Sequence, residues 1–441
     1  FLLFLNNFMF KYILYFIFFF CLSVINFLFI FYSNKLKAIY EYYLIAIISS
    51  FFTFYCIEGY LIFKKYNLDP KIRNQKLAKS EGKNFDTRNK YEVYKDHKFK
   101  QIDAVPSLHP STWTKQNGFN YQNENLFPLS GISKKITIYC NENGYFVKYL
   151  SDRYGFNNDD NLWDEGNKNI VLGDSFGHGA CVHNEFNIPS ILSKKLNEHF
   201  INLGIGGNGP LIELATLIEF VDLIKPKIII WLYFEKNDIF DDLENEISSN
   251  ILQRYLKEDF SQNLMKKQIK IDNQLKKFIP EVEKSYLIKT KKNNFHKILD
   301  FIKLSQTRNT ILNLVLNKNE IFKKEISQEK KAIFFEIISK AQTISDNYNS
   351  EFFVIYVPSV ARYLNKYSKI EHGQIFQRKD VVEEFNKRKI KLIDLHSFII
   401  KNFENPLDLY PFGYWGHFNE KGYTYISNYI VDEIKKFYEN K

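Results

Sequence analysis

A serine, a histidine, a glycine-rich turn and an asparagine stand in this chain where they could share one acyl-transfer reaction. Ser175 ends the stretch Asn169-Ile170-Val171-Leu172-Gly173-Asp174-Ser175, an apolar run that breaks off at Gly-Asp-Ser. Gly204-Ile205-Gly206-Gly207-Asn208-Gly209-Pro210 is a turn with little side-chain cover, so its N–H groups can approach a ligand. Asn237, in Glu235-Lys236-Asn237-Asp238, offers a carboxamide donor. A serine, an exposed glycine N–H and an asparagine amide are the parts of an oxyanion hole, which holds the negative oxygen of a tetrahedral acyl intermediate. A serine hydroxyl also needs a base. His417, in Gly416-His417-Phe418-Asn419-Glu420, falls in a turn just before the last helical segment and is the best-placed histidine. His178 and His183 belong to the turn and helix of the serine itself and read as packing or surface residues. His97, His109 and His199 lack supporting context, and His396 is a weaker candidate base. Each block has a bland reading as well, as a turn, an N-cap or a helix cap.

The elements that must position these residues follow from the apolar patterning. A short Ile/Val/Leu run bounded by glycine reads as a buried parallel strand, and Phe186 to Leu196 reads as the helix behind it. Ser175 then lies at the carboxyl end of a strand, where open α/β sheets bind their ligands. Phe200 to Gly204, Lys227 to Phe234, Glu351 to Pro358 and Ile390 to Leu395 read as four further strands. Leu211, Leu214, Ala215, Ile218 and Val221 repeat at helical spacing, and a closing helix carries Tyr423, Ile426, Ile430, Ile434 and Phe437 on one face. Five strands alternating with helices imply a parallel sheet covered on both faces. Lys135 to Tyr139 and Tyr145 to Tyr149 alternate around Asn141-Glu142-Asn143-Gly144, a hairpin signal. Asp241 to Asn347 is Lys/Glu-rich with helical periodicity and reads as a helical insertion, most simply a structural brace.

Tyr12 to Tyr32 carries no charge, and Tyr43 to Phe63 is a second apolar run weakened only by Glu58. Each is long enough to span a bilayer as a helix, so residues 1–64 read as a membrane hairpin. Residues 65–130 read as an irregular extension packing on a domain over 131–441. Lys64, Lys65, Lys71, Arg73, Lys76, Lys79 and Lys83 follow the second run, which taken literally places the large domain in the cytoplasm. Lysine is frequent along the whole chain and dilutes that signal, so the side stays open. The net charge of +10 has the same origin, and with no recognition motif a nucleic-acid partner is not expected. No Cys-x-x-Cys pair suggests a metal site. Cys140 and Cys181 could pair in an oxidising compartment.

In order, Gly173-Asp174-Ser175-Phe176, the Gly207 turn, Asn237-Asp238 and His417 resemble the blocks of the SGNH, or GDSL-type, hydrolase superfamily. The prelude Ser151-Asp152-Arg153-Tyr154-Gly155-Phe156-Asn157-Asn158 and the two apolar runs look like a bacterial membrane-anchored group within it. The resemblance implies a three-layer α/β/α, flavodoxin-like fold without metal or organic cofactor. It implies Ser175 as nucleophile, His417 as general base, and the Ser175 N–H, Gly207 N–H and Asn237 side chain as oxyanion donors. The activity it implies is ester hydrolysis or O-acyl transfer, with an O-acetyl group on a glycan as a plausible substrate and a bacterial inner membrane as the place. Two positions depart from the pattern. Glu235 stands where glycine is usual, and Tyr414 stands where the triad's aspartate is usual, leaving Asp408 as a weak candidate acid. These departures keep open a catalytically silent scaffold in an envelope assembly.

Overall fold

The computed structural model of the chain describes residues 24–25, 37–67, 69–121, 124–315, 326–364 and 378–440. The first expected span lies almost wholly outside them. Two compact units form, one from Phe1–Tyr66 with Asn293–Leu316 and one from Asn67–Lys292 with Asn317–Lys441.

A small three-stranded sheet precedes the main one in the larger unit, built from β1 (Ala104–Pro106), β2 (Ile136–Ile138) and β3 (Lys148–Leu150). β2 and β3 form the expected hairpin, with Ile136 opposite Leu150 and Ile138 opposite Lys148. Its ladder is shorter than the alternation suggests. Residues 139–147 instead form a loop, tied across by Tyr139 N–H to Val147 C=O and Val147 N–H to Cys140 C=O, both 2.9 Å.

The main sheet of this unit has five strands: β4 (Lys168–Leu172), β5 (His199–Asn202), β6 (Ile228–Phe234), β7 (Glu351–Val357) and β8 (Lys391–Asp394). They pair in the order β8-β7-β6-β4-β5, every pair parallel, as the five apolar runs predict. Because successive side chains leave a strand on opposite faces, the runs divide cleanly between two cores. Leu172, Ile229, Trp231 and Val354 face one core with the Pro210–Ile224 and Gln328–Asn347 helices. Val171, Ile230, Leu232 and Ile355 face the other with the Ile188–Leu196 and Glu420–Glu439 helices. The result is a three-layer α/β/α sandwich. Tyr423, Ile426, Ile430 and Ile434 of the closing helix are all buried, as their spacing predicts. That helix starts where the Asn419 side chain accepts the Gly422 N–H, just after His417.

The stretch read as irregular holds two helices, Pro70–Ser80 and Lys90–Phe99. Asp69 caps the first, accepting from the N–H groups of Lys71 and Ile72, and Asn89 with Glu92 forms a reciprocal capping box on the second. Trp113, Leu126 and Phe127 from the same stretch are buried in the core. Much of the helical insertion is likewise core: Leu252, Tyr255 and Leu275 are fully buried. Buried Glu219 braces it, accepting from the Tyr255 hydroxyl (2.6 Å) and the Leu264 N–H (2.8 Å).

In the smaller unit the Lys37–Asn67 helix is long and apolar enough over Glu41–Asn67 to cross a membrane.

Candidate active site

β4 delivers Ser175 to the edge of the sheet. The strand ends at Leu172, Gly173 turns the chain, and Asp174 caps the one-turn helix Ser175–His178 by accepting the Phe176 N–H at 2.9 Å. The turn after β5 packs directly on this helix. A Cβ on Gly204 would lie 2.6 Å from the Gly177 carbonyl carbon, so the two strand ends meet only because glycine stands at 204.

The structure brings His417 to Ser175 across the top of the sheet. His417 Nε2 lies 2.8 Å from Ser175 Oγ. On the other side of the ring, Nδ1 lies 3.0 Å and 3.1 Å from the two carboxylate oxygens of Glu142. Glu142 also accepts the His417 backbone N–H at 2.7 Å. A hydroxyl, an imidazole and a carboxylate thus form one chain of hydrogen bonds, the arrangement that lets the imidazole remove the hydroxyl proton while the carboxylate orients the ring and balances its charge.

Glu142 has no counterpart among the residues that the sequence pattern singles out. It sits in the loop between β2 and β3, and several ties fix that loop. The Cys140–Cys181 disulfide, with Cα atoms 5.2 Å apart, joins it to the segment following Ser175. The Asn143 amide donates to the Cys181 carbonyl at 2.9 Å, and the Asn141 amide to the Asp86 carbonyl at 2.9 Å. From the histidine side, Gly416 has φ +126°, and a Cβ there would come within 2.5 Å of Glu142 Oε2. Gly416→Ala is expected to push the carboxylate off the ring and lower ester turnover by about a hundredfold, a usual cost of displacing a catalytic group by an ångström. Turnover within a factor of two of the parent would show that the contact does not set the geometry.

Asp408, the weak candidate acid, does not approach His417. Its carboxylate is taken by the Asn405 amide at 2.8 Å, and its carbonyl accepts from Asn419. Tyr414, at the usual aspartate position, is buried with the Arg73 guanidinium 3.8 Å above its ring. The carboxylate therefore comes from an amino-terminal hairpin instead of the residues preceding the histidine. The one hint in the sequence is the Cys140/Cys181 pair, which brackets Glu142 and Ser175.

The electrostatics follow from this pairing. Burial pushes the His417 pKa down, but the Glu142 carboxylate beside it more than offsets that, leaving the imidazole above its ordinary 6.5. Burial pushes Glu142 up, and the charge and hydrogen bonds of His417 bring it below the usual carboxylate value. Glu142 and His417 also belong, with Cys181, to a cluster close enough to ligate a metal. Cys181 is held in the disulfide, and the other two bond each other.

The glycine-rich turn is held by imidazoles. The Gly206 N–H donates to His178 Nδ1 at 3.2 Å, and the Gly206 carbonyl is bonded by His109 Nδ1. His178 is stacked on Tyr139 with ring centres 4.1 Å apart. Burial pushes His109 down to about 4 and His178 well below its usual value, so both are neutral. Neither has a supporting signal in the sequence, and together they rigidify the backbone beside Gly207. Asn237 reaches the same place: its amide donates at 3.4 Å to Asp174 Oδ2, which lies 3.2 Å from Ser175 Oγ. Ser175, Asn237 and His417 are therefore gathered at one sheet edge, with the Gly207 turn packed alongside.

Glu235, the second departure, points away from this edge. Its carboxylate accepts from the Ser359 N–H (2.6 Å), Arg362 Nε (2.9 Å) and Nη2 (2.5 Å), and the Tyr356 hydroxyl. Glu235→Gln removes the charge opposite a largely buried guanidinium. The expected cost is about 3 kcal/mol of stability, read as a lower urea midpoint, with turnover preserved in the folded variant. An unchanged midpoint would mean that the pair contributes nothing.

No protein-family model and no curated protein matches the chain. Similar solved structures include a protein assigned to the G-D-S-L lipolytic family from Desulfitobacterium hafniense DCB-2 (12% identity, 60% of this chain and 99% of that one, TM-score 0.31). Others are the psychrotrophic esterase EstA from Pseudoalteromonas sp. (14% identity, 62% and 99%, TM-score 0.26) and the acetyl xylan esterase AlAXEase (12% identity, 60% and 99%, TM-score 0.29). The three-layer α/β/α fold with a five-stranded parallel sheet is the one expected from the sequence.

Proposed function

We propose that the chain is a membrane-anchored serine esterase or O-acyltransferase of SGNH type. The observation that carries this is the continuous chain from Ser175 Oγ through His417 to Glu142. Ser175 attacks an ester carbonyl as His417 takes its proton. The tetrahedral oxyanion draws on the Ser175 and Gly207 N–H groups and the Asn237 amide. His417 then returns the proton to the leaving alcohol, and the acyl-enzyme passes its acyl group to water or to another hydroxyl. A sugar-borne O-acetyl group is favoured as substrate by Trp415, two residues before His417, whose ring carries Lys236 Nζ 4.6 Å from its centre. An aromatic face beside a cation suits a sugar ring with anionic substituents.

The Cys140–Cys181 disulfide supports a catalytic unit on the oxidising side of the membrane, since such bonds persist outside the cytosol. It outweighs the literal charge count of the juxtamembrane lysines.

The silent-scaffold reading rests on Tyr414 and Glu235. Glu142 supplies a carboxylate in place of the first, and Arg362 neutralises the second. A fluorophosphonate probe tests the choice. Covalent labelling of the parent, absent in Ser175→Ala, is the expected result. A folded parent that takes no label would return the scaffold to first place.

A further inference from the structure

The apolar helix Lys37–Asn67 carries one buried carboxylate, and the smaller unit supplies its partners. Glu58 is 0% exposed. Its oxygens accept from the Gln306 N–H (2.9 Å), the Thr307 N–H (2.7 Å) and the Thr307 hydroxyl (2.8 Å). Those N–H groups open the helix Ser305–Val315, so Glu58 is its N-cap anion, supplied from another helix. Beside it the Tyr55 hydroxyl donates to the Ile302 carbonyl at 3.1 Å, and the Tyr55 and Phe301 rings lie 5.3 Å apart. The turn where the helix Gln268–Ile302 ends and Ser305–Val315 begins is thus fixed to the apolar helix by polar and aromatic contacts.

The outer surface of this turn does not suit water. Ile298, Phe301, Ile302, Ile311 and Leu312 are exposed, and Ile298 and Ile302 are 60% and 56% exposed. Lys297, Lys303 and Arg308 are exposed among them. Large apolar side chains interleaved with lysine and arginine are the composition of helices that lie in a membrane interface, where the apolar groups enter the acyl boundary and the cations meet lipid phosphates. The depth agrees. Glu58 precedes Phe63, the end of the apolar run, by five residues, or about 7.5 Å along a helix axis. Interfacial helices sink about 5 to 10 Å.

We infer that this helical turn, roughly residues 298–312, is a second membrane contact, seated in the headgroup region beside the Lys37–Asn67 span and held there by Glu58. The inference rests on the membrane-anchored reading and gives the tip of the helical insertion a lipid partner. It makes the anchor a span with an interfacial foot, in place of a span alone.

The test uses the full chain in vesicles of phosphatidylethanolamine and phosphatidylglycerol, with ordinary or brominated acyl chains. Ile302→Trp, Leu312→Trp and, within the span, Ile48→Trp are made singly, and the emission each adds over the parent chain is compared. Loss of the added emission in brominated vesicles at all three positions is the expected result. Quenching at 48 with none at 302 or 312 would overturn the inference and leave the anchor standing. No quenching at 48 either would remove the anchor reading and the inference with it. A blue-shifted but unquenched signal at 302 and 312 would assign the surface to a protein partner and equally overturn the proposal.

Discussion

Ser175→Ala is expected to lower the turnover of p-nitrophenyl acetate by about a million-fold, and His417→Ala by a similar factor, with the double variant no worse than either. The non-additivity is the informative part. In the proposed mechanism the hydroxyl and the imidazole, 2.8 Å apart between Oγ and Nε2, perform one proton transfer together, so removing either removes the step. The residual rate comes from whatever oxyanion stabilisation and binding remain. The measurement is kcat for the three variants, with the folded state checked by a common urea transition. A Ser175→Ala enzyme retaining a tenth of the parent rate would end the acyl-serine mechanism. A double variant falling as the product of the singles would mean that the two residues act separately.

Glu142→Gln carries the second large effect and distinguishes this site from one in which the acid precedes the histidine. Turning a triad carboxylate into an amide of the same shape costs about ten-thousand-fold in kcat, because the wrong ring tautomer is favoured and the imidazolium loses its counter-charge. The pH profile gives a second, independent reading. The proposed mechanism needs neutral His417, so kcat/KM is expected to rise as pH passes upward through the imidazole pKa. In the parent that pKa lies above 6.5, held there against burial by Glu142. Removing the carboxylate leaves burial to dominate, so the acid limb moves to lower pH as the maximum falls. A lower plateau with an unshifted limb would mean that Glu142 matters for folding and not for the charge of the ring. Asp408→Ala, by contrast, should leave both rate and profile unchanged.

The sheet was legible because its strands are short apolar runs, three of them closed by Gly173, Gly204 or Pro358, and the two-core division follows from simple alternation. Ser175 and His417 were legible for a related reason: strand–turn–helix order places their turns at the same sheet edge. Glu142 was not. It lies 275 residues from its histidine and outside the strand–helix alternation, within a polar turn where a solvated glutamate is ordinary. Nothing local marks it, since the feature that places it is a tertiary tie between cysteines 41 residues apart. The amino-terminal helices were hidden differently. Their caps at Asp69 and Asn89 are visible in the sequence, but the lysine-rich segments behind them show little apolar periodicity.

The Cys140–Cys181 bond closes a covalent ring around both Glu142 and Ser175 and leaves His417 outside. In polymer terms, such a ring removes conformational freedom from the unfolded chain, worth about 4 kcal/mol for a loop of this length. An oxidised chain that loses its packing therefore keeps Glu142 and Ser175 within one closed loop. Completing the Ser175–His417–Glu142 chain then takes the docking of the carboxyl-terminal turn that carries His417.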